Sequence, residues 1–364
     1  MSDILIKIYR GNLVENIYQG DIAIVNTRGK ITFSVGDSEK ITYWRSAAKP
    51  IQVMPVIYSG AADKYKLTEK EIAILTSSHS GEDEHIKLIY SILDKISLDE
   101  RNLLCGAYPA FRKTTNNSLI QDKTNAKPIY NPCSGKHVAQ LILCKYYGWS
   151  VNDYYKLEHP VQQMILNVIT KLTEYPKENI YLGVDGCGVP VFGLPIKNMS
   201  CAYARMLNWK NLFPEYQQAA KRIVISMIRN PKIVGGTSRF DTDLMQISEG
   251  KLLAKSGADG VFCIGVRNKN NNKGIGITIK MESGNMKFLP MVVIRVLSQL
   301  KILSKEKLNQ LEKYCSSWVK NYRNGKVGSS ISDSELIKEQ YISFLILLNQ
   351  LSPLLPAKPP PREK

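Results

Sequence analysis

ILIKIYRGNLVENIYQGDIAIVNTRGKITFSVG, residues 4–36, decides how the chain begins to fold. Its apolar runs ILIKIY, DIAIVNT and KITFSVG are rich in β-branched residues and are separated by short polar turns such as RGN and RGK. Runs of that kind form strands, and turns that short join antiparallel neighbours, so the chain opens as a meander. From Ser46 the period changes to that of helices. LTEKEIAILTSS (67–78), EHIKLIYSILDKI (84–96), HVAQLILCKYYG (137–148) and HPVQQMILNVITKLTEY (159–175) repeat apolar residues at helical spacing. IYLGVDG (180–186), GVFCIGV (260–266) and GIGITIKM (274–281) return to strand character. Strands from both ends of the chain then share one sheet, and the fold class is α+β, a largely antiparallel sheet flanked by helices. NKNNNKG (268–274) reads as an exposed hairpin loop, and SVN (150–152) as a helix-entry turn.

The 364 residues suffice to bury a large core. Hydrophobic residues make up 44% and no run approaches a membrane span, so no membrane partner is expected. The opening lacks the basic and apolar regions of a signal peptide, and a cytoplasmic location is the expectation. Seven scattered cysteines, with no C-x-x-C pair, fit reduced thiols. The formal charge is +17, but the lysines are spread rather than gathered among aromatics, so no nucleic-acid partner is expected either.

RSAAKPIQ (45–52) puts Ser46 and Lys49 one turn apart on a shared face, where they can hydrogen-bond. Pro50 is tolerated there as part of a first turn. A serine becomes a nucleophile only when something takes its proton, and a lysine made neutral by burial or by neighbouring cations can do so. An isolated S-x-x-K is common in any helix. AKSGADGV (254–261) then adds Lys255, a hydroxyl residue and glycine before a strand, and S-x-x-K followed by K-[ST]-G is the order of serine β-lactamases and penicillin-binding proteins. The S-D-N element of those enzymes is missing. TSSHSGEDEH (76–85) lies between the two instead, with Ser78 a candidate for chemistry and Ser80 a candidate helix N-cap. NPCSGKH (131–137) and VDGCGVP (184–190) each set a cysteine beside glycine. Cys133 with His137 reads as nucleophile and base, or Cys133 with Cys187 as ligands of a soft metal, and plain burial of both thiols competes with either. By composition His137 would be the third ligand; Lys136 would first have to lose its proton.

Together with RGNLVENIYQGDIAIVN, GDSEKITYWRSAAKPIQ and RNPKIVGGTSRFDTDLMQISEGKLLAKSGADGV, these motifs resemble the rhizobial-type, or class 3, L-asparaginase family, in order from about Ile6 to Gly328. The resemblance implies a serine β-lactamase-like fold, a homodimer, and hydrolysis of L-asparagine to L-aspartate and ammonia. It implies two serine–lysine tandems, Ser46 with Lys49 and Ser78 with Lys255. It further implies one zinc ion per subunit held by Cys133, Lys136 and Cys187, with Asp185 beside it, which moves His137 from the metal to the substrate. Arg45 and Asp185 are candidate partners for the substrate's carboxylate and ammonium by their charge. The chain departs from the family at Tyr18-Gln19-Gly20, where a histidine-arginine-glycine pattern is expected. The expected organisation is one domain over 1–332 and an extension over 333–364, apolar in YISFLILLNQLSPLL and disordered in its proline-rich end. A glutaminase or β-lactam-interacting protein is the alternative among hydrolases, and a zinc-stabilised binding protein without turnover the alternative outside them.

Overall fold

The computed structural model describes residues 1–113, 119–267, 274–315 and 318–338. The 268–273 part of the expected hairpin loop, the apolar run 341–355 and the proline-rich end lie outside the described residues. The opening meander forms as its turns predict: β1 (Asp3–Arg10), β2 (Leu13–Asn26) and β3 (Ile31–Val35), with Gly11 at φ +56° in the first turn. β2 is long enough to pair with three neighbours. Its first half pairs with β1, and its second half with β3 and with the late strand Ile275–Met281.

In chain order the remaining strands are β4 (Ile41–Tyr43), β5 (Tyr108–Lys113), β6 (Leu119–Lys127), β7 (Tyr181–Val184), β8 (Pro190–Pro195), β9 (Leu252–Ser256), β10 (Val261–Val266) and β11 (Ile275–Met281). β12 (Trp318–Lys320), β13 (Lys326–Ser332) and β14 (Ile337–Lys338) follow. The main sheet runs β12-β13-β1-β2-β11-β10-β9, with β3 and β14 joined beside β2, and every pairing in it is antiparallel. The two ends of the chain do share one sheet. The run at 180–186 does not join them: β7 pairs with β8 in a separate small sheet, order β4-β8-β7. Its short, glycine-bearing run suits an edge, and alternation alone does not name a partner.

β10 is buried at every position, as a strand covered on both faces must be. The helix Ile196–Leu207 crosses β2, β10 and β11, and comes so close that a Cβ on Gly276 would lie 1.7 Å from Ser200 O. The predicted helices form at Glu69–Leu75, Asp83–Lys95, Ser134–Tyr147 and Pro160–Thr173. Thr68 closes a capping box with Glu71 at the start of the first. SVN is no helix entry: Ser150 accepts from Asn152 N in a local turn, and the helix waits for the His159 cap and Pro160. Nor does Ser80 cap the helix at 83, because its hydroxyl is spent on the Glu82 carboxylate, and Glu82 holds the cap position. No described helix is long and apolar enough to cross a membrane.

Candidate active site

Ser46 lies in a single 3-10 turn, Arg45–Ala48, that leads into the short helix Lys49–Gln52. The turn is fixed from three sides. Trp44, fully buried, donates from Nε1 to Cys263 Sγ and from its backbone to Phe192 O. Tyr203 Oη, also buried, donates to Ala47 O at 2.7 Å. Gly257 of the K-S-G motif lies directly against the turn, where a Cβ would be 2.9 Å from Trp44 O. Arg45 adopts φ +52°, a left-handed conformation costing a non-glycine residue about 1–2 kcal/mol. Its guanidinium is held by Asp185 at 3.1 Å and by Asp259.

The two predicted lysines converge on one hydroxyl. Lys49 Nζ is 2.9 Å from Ser78 Oγ, and Lys255 Nζ is 3.0 Å from the same oxygen. Lys49 therefore pairs with Ser78 rather than with Ser46, whose hydroxyl has no hydrogen-bond partner among the described residues. Helix spacing put Ser46 and Lys49 near each other, but Lys49 reaches across to the loop that follows Glu69–Leu75. Ser78 is presented there by its N–H bond to Val234 O.

Both amines are fully buried, and burial pulls both below the ordinary lysine range. Lys49 is drawn down further by the Lys136 cation, against the upward pull of Cys133, Cys187 and Asp185. Lys255 falls to about 7, with the Asp241 carboxylate opposing burial and the Lys49 charge adding to it. The remaining bonds distinguish the two. Lys49 also faces Ser77 O at 2.6 Å and Pro132 O at 3.1 Å. Once it has lost its proton, Lys49 can donate its two N–H bonds to those carbonyls and accept from the Ser78 O–H. Lys255 faces Ser256 O at 2.9 Å and the Asp241 carboxylate at 3.9 Å, partners that suit an ammonium.

The second cluster meets the first through Gly135. A Cβ on it would be 2.1 Å from Ile74 O, so only glycine lets the helix Ser134–Tyr147 lie against the helix that ends near Ser78. The helix begins at Cys133, and across from it the β7–β8 turn, closed by Asp185 N to Val189 O and Gly188 N to Asp185 O, presents Asp185 and Cys187. The donor atoms of Cys133, Asp185 and Cys187 all lie within 4.8 Å of one another, and Lys136 Nζ is 3.3 Å from Asp185 Oδ2. The Cys187 thiol donates to Asp185 Oδ2 at 3.8 Å, and the neighbouring Cys187 with the Lys49 and Lys136 charges holds Cys133 well below the usual thiol range while Cys187 is pushed up. Two sulfurs with a carboxylate beside them suit zinc, whereas Lys136, paired with Asp185, joins such a donor set only after losing its proton.

His137 is fully buried one helical residue on, with Nδ1 2.8 Å from Tyr154 Oη and Nε2 without a partner among the described residues. Sequence reasoning missed Asp241, Asp259 and Tyr203. Asp241 is nearly fully buried and accepts from Ser256 Oγ at 2.8 Å. An acid inside a helical run carries no signal of its own; only its place in the long GGTSRFDTD stretch marks it.

The sequence model of the L-asparaginase II family matches residues 6–331. No curated protein sequence matches the chain. Among solved structures, a Bacillus glutaminase in 4.3 M NaCl shares 12% identity at a TM-score of 0.35, covering 78% of this chain and 91% of that one. Mglu in its tris and glutamate form shares 11% identity at a TM-score of 0.35, covering 81% of this chain and 62% of that one.

Proposed function

We propose, from the premise that the chain belongs to the L-asparaginase II family and is an amidohydrolase, that it hydrolyses the side-chain amide of L-asparagine by acyl transfer to a serine. The observation that carries this reading is the convergence of the Lys49 and Lys255 amines on Ser78 Oγ at 2.9 and 3.0 Å. A hydroxyl between two buried amines, both drawn below the ordinary lysine range, relays a proton: it gives its own to Lys49 and takes one from its neighbour. The order along the chain, S-x-x-K, then a serine, then K-S-G, follows that of a serine β-lactamase-like site, with Ser78 in the role of the absent S-D-N serine.

Ser46 is the attacking oxygen in this scheme. It is partly exposed and unpartnered, so substrate can reach it. Its proton passes through Ser78 to Lys49, the amide carbon forms an ester with Ser46 Oγ, and the same relay returns the proton to the departing ammonia. Water then cleaves the ester to L-aspartate. Arg45 and Asp185 are the charged groups for the amino-acid end of the substrate, and the unpartnered Nε2 of His137 supplies a further polar contact. A second reading, attack by Ser78 itself, is favoured by the fact that both amines bond to Ser78 and neither to Ser46.

Cys133, Lys136 and Cys187 would hold a zinc ion, with Asp185 beside it. Bound there, the ion would supply a positive charge to orient an anionic group of the substrate. Lys136 as a ligand must first give up its proton, against the upward pull of the surrounding sulfurs and carboxylate.

The test is ammonia release from L-asparagine and L-glutamine by the wild type, Ser46→Ala and Ser78→Ala, with mass spectrometry for an acylated protein and metal analysis beside Cys133→Ser. Loss of turnover in Ser46→Ala, with an acyl adduct trapped on Ser46 in Ser78→Ala, supports the scheme. An adduct on Ser78 moves the nucleophile. Absence of turnover in zinc-loaded wild type removes the reading.

A further inference from the structure

Away from the catalytic cluster, a cleft of about 390 Å³ opens where the turn after β2 meets the ends of the helices Pro160–Thr173 and Ile196–Leu207. Its wall includes Arg28, Lys171, Glu174, Arg205, Asn208 and Phe213. The polar groups facing it are unbalanced. Arg205 is spoken for: its side chain, 14% exposed, pairs with Glu174 and donates to Leu172 O at 3.1 Å, which also satisfies a carbonyl at the helix end. Arg28 and Lys171 have no carboxylate partner among the described residues.

Asn208 supplies an independent sign. It is 7% exposed, lines the cleft, and its Nδ2 has no hydrogen-bond partner among the described residues. A buried amide donor left unpaired costs about 1–3 kcal/mol, so such groups are almost always satisfied by something. What is missing is an acceptor. Two cations without acids, a pinned arginine and an orphan N–H donor call for a ligand rich in acceptor oxygens and negative charge, and guanidinium groups recognise carboxylate and phosphate oxygens in pairs. The Phe213 ring, 51% exposed, offers an apolar wall for the rest of such a ligand.

We propose that this cleft binds a small organic anion, a carboxylate or a phosphate monoester, with its head group between Arg28, Lys171 and the Asn208 amide and its apolar part against Phe213. The site is separate from the Ser46–Ser78 cluster and does not depend on what that cluster does. The two lie along one helix, since Tyr203 of Ile196–Leu207 holds Ala47 O at 2.7 Å and Asn208 caps the same helix.

Isothermal titration of the full chain with inorganic phosphate, phenyl phosphate and succinate, at one fixed chloride concentration, tests the site and separates the two ligand chemistries. One saturable site is expected, tighter for phenyl phosphate than for phosphate. The double variant Arg28→Glu/Lys171→Glu, which alters exposed side chains, is expected to bind at least about tenfold more weakly with an unchanged unfolding midpoint. Asn208→Asp, isosteric and charge-repelling, is expected to abolish binding. Absence of saturable heat for every probe overturns the proposal, as does equal affinity in wild type and the double variant, which would place the ligand elsewhere.

Discussion

Asp241 stands 3.9 Å from the Lys255 ammonium and accepts from Ser256 Oγ, so it holds charge on the one lysine of the cluster that has a carboxylate beside it. Burial lowers Lys255 and Asp241 raises it, to a balance near 7. Removing the carboxylate leaves burial unopposed. In Asp241→Asn the limb of the kcat/KM profile that Lys255 contributes near neutrality is therefore expected to move to lower pH. A profile that keeps its wild-type position in this variant would uncouple Asp241 from the site. At this scale the sequence was partly legible. Ser46, Lys49, Ser78 and Lys255 stand out because serine next to lysine has a chemical reason, but their pairing did not follow from spacing: Lys49 turns to Ser78 because the fold seats it against Ser77 O and Pro132 O. Asp241 was hidden because its value comes only from what lies 3.9 Å away in space.

Among elements, the contact between the K-S-G turn and the 3-10 turn of Ser46 is the tightest joint of the site. Gly257→Ala would place a Cβ 2.9 Å from Trp44 O and 3.1 Å from Val261 Cβ. Backbone must shift to admit it, at a cost of about 1–3 kcal/mol in stability. The shift also moves Lys255 and Ser46 relative to each other, so a loss of at least about tenfold in kcat is expected, larger than the change in KM. Wild-type kcat in this variant would show that the joint tolerates movement. The elements themselves were largely readable. The opening meander, the helices from Glu69 to Thr173 and the late strands follow from periodicity and turn residues. Partner choice was not: β7 has the same composition as the sheet strands but joins β8, because a four-residue run bounded by glycine fits any free edge. Likewise Ser80 looked like a cap until Glu82 claimed its hydroxyl, which packs so close to Gly236 that a Cβ there would lie 2.0 Å from Ser80 Oγ.

For the whole molecule, the buried titratable groups set a pH dependence of stability. His79 and His137 are held well below their ordinary value of 6.5 by burial first, and by the charges of His85 and Lys49 and of Lys136 and Lys49 respectively. They stay neutral in the fold and take protons in the unfolded chain below 6.5, so stability falls as pH drops through that range. Lys255 extends the trend upward. Its folded value of about 7 lies below the ordinary 10.5, so between those limits the unfolded chain binds a proton that the fold has released, and stability rises with pH. Cys105, Cys144 and Cys263, pushed up to about 12 by burial, work in the other direction above their ordinary 9.0. The urea midpoint is therefore expected to be higher at about pH 8 than at about pH 6 and to turn down above about pH 9. A midpoint that falls between pH 6 and 8 would contradict the neutral state of these buried groups.

The long strand β2 has a consequence for how the protein is made. Its residues Gly20–Asn26 pair with Ile275–Met281 on one edge. During synthesis from the N-terminus that edge, Ile22, Ala23, Ile24 and Val25 among it, stays bare until more than two hundred further residues have left the ribosome. An apolar strand edge held open that long is exposed to pairing with other nascent chains until the late strands arrive.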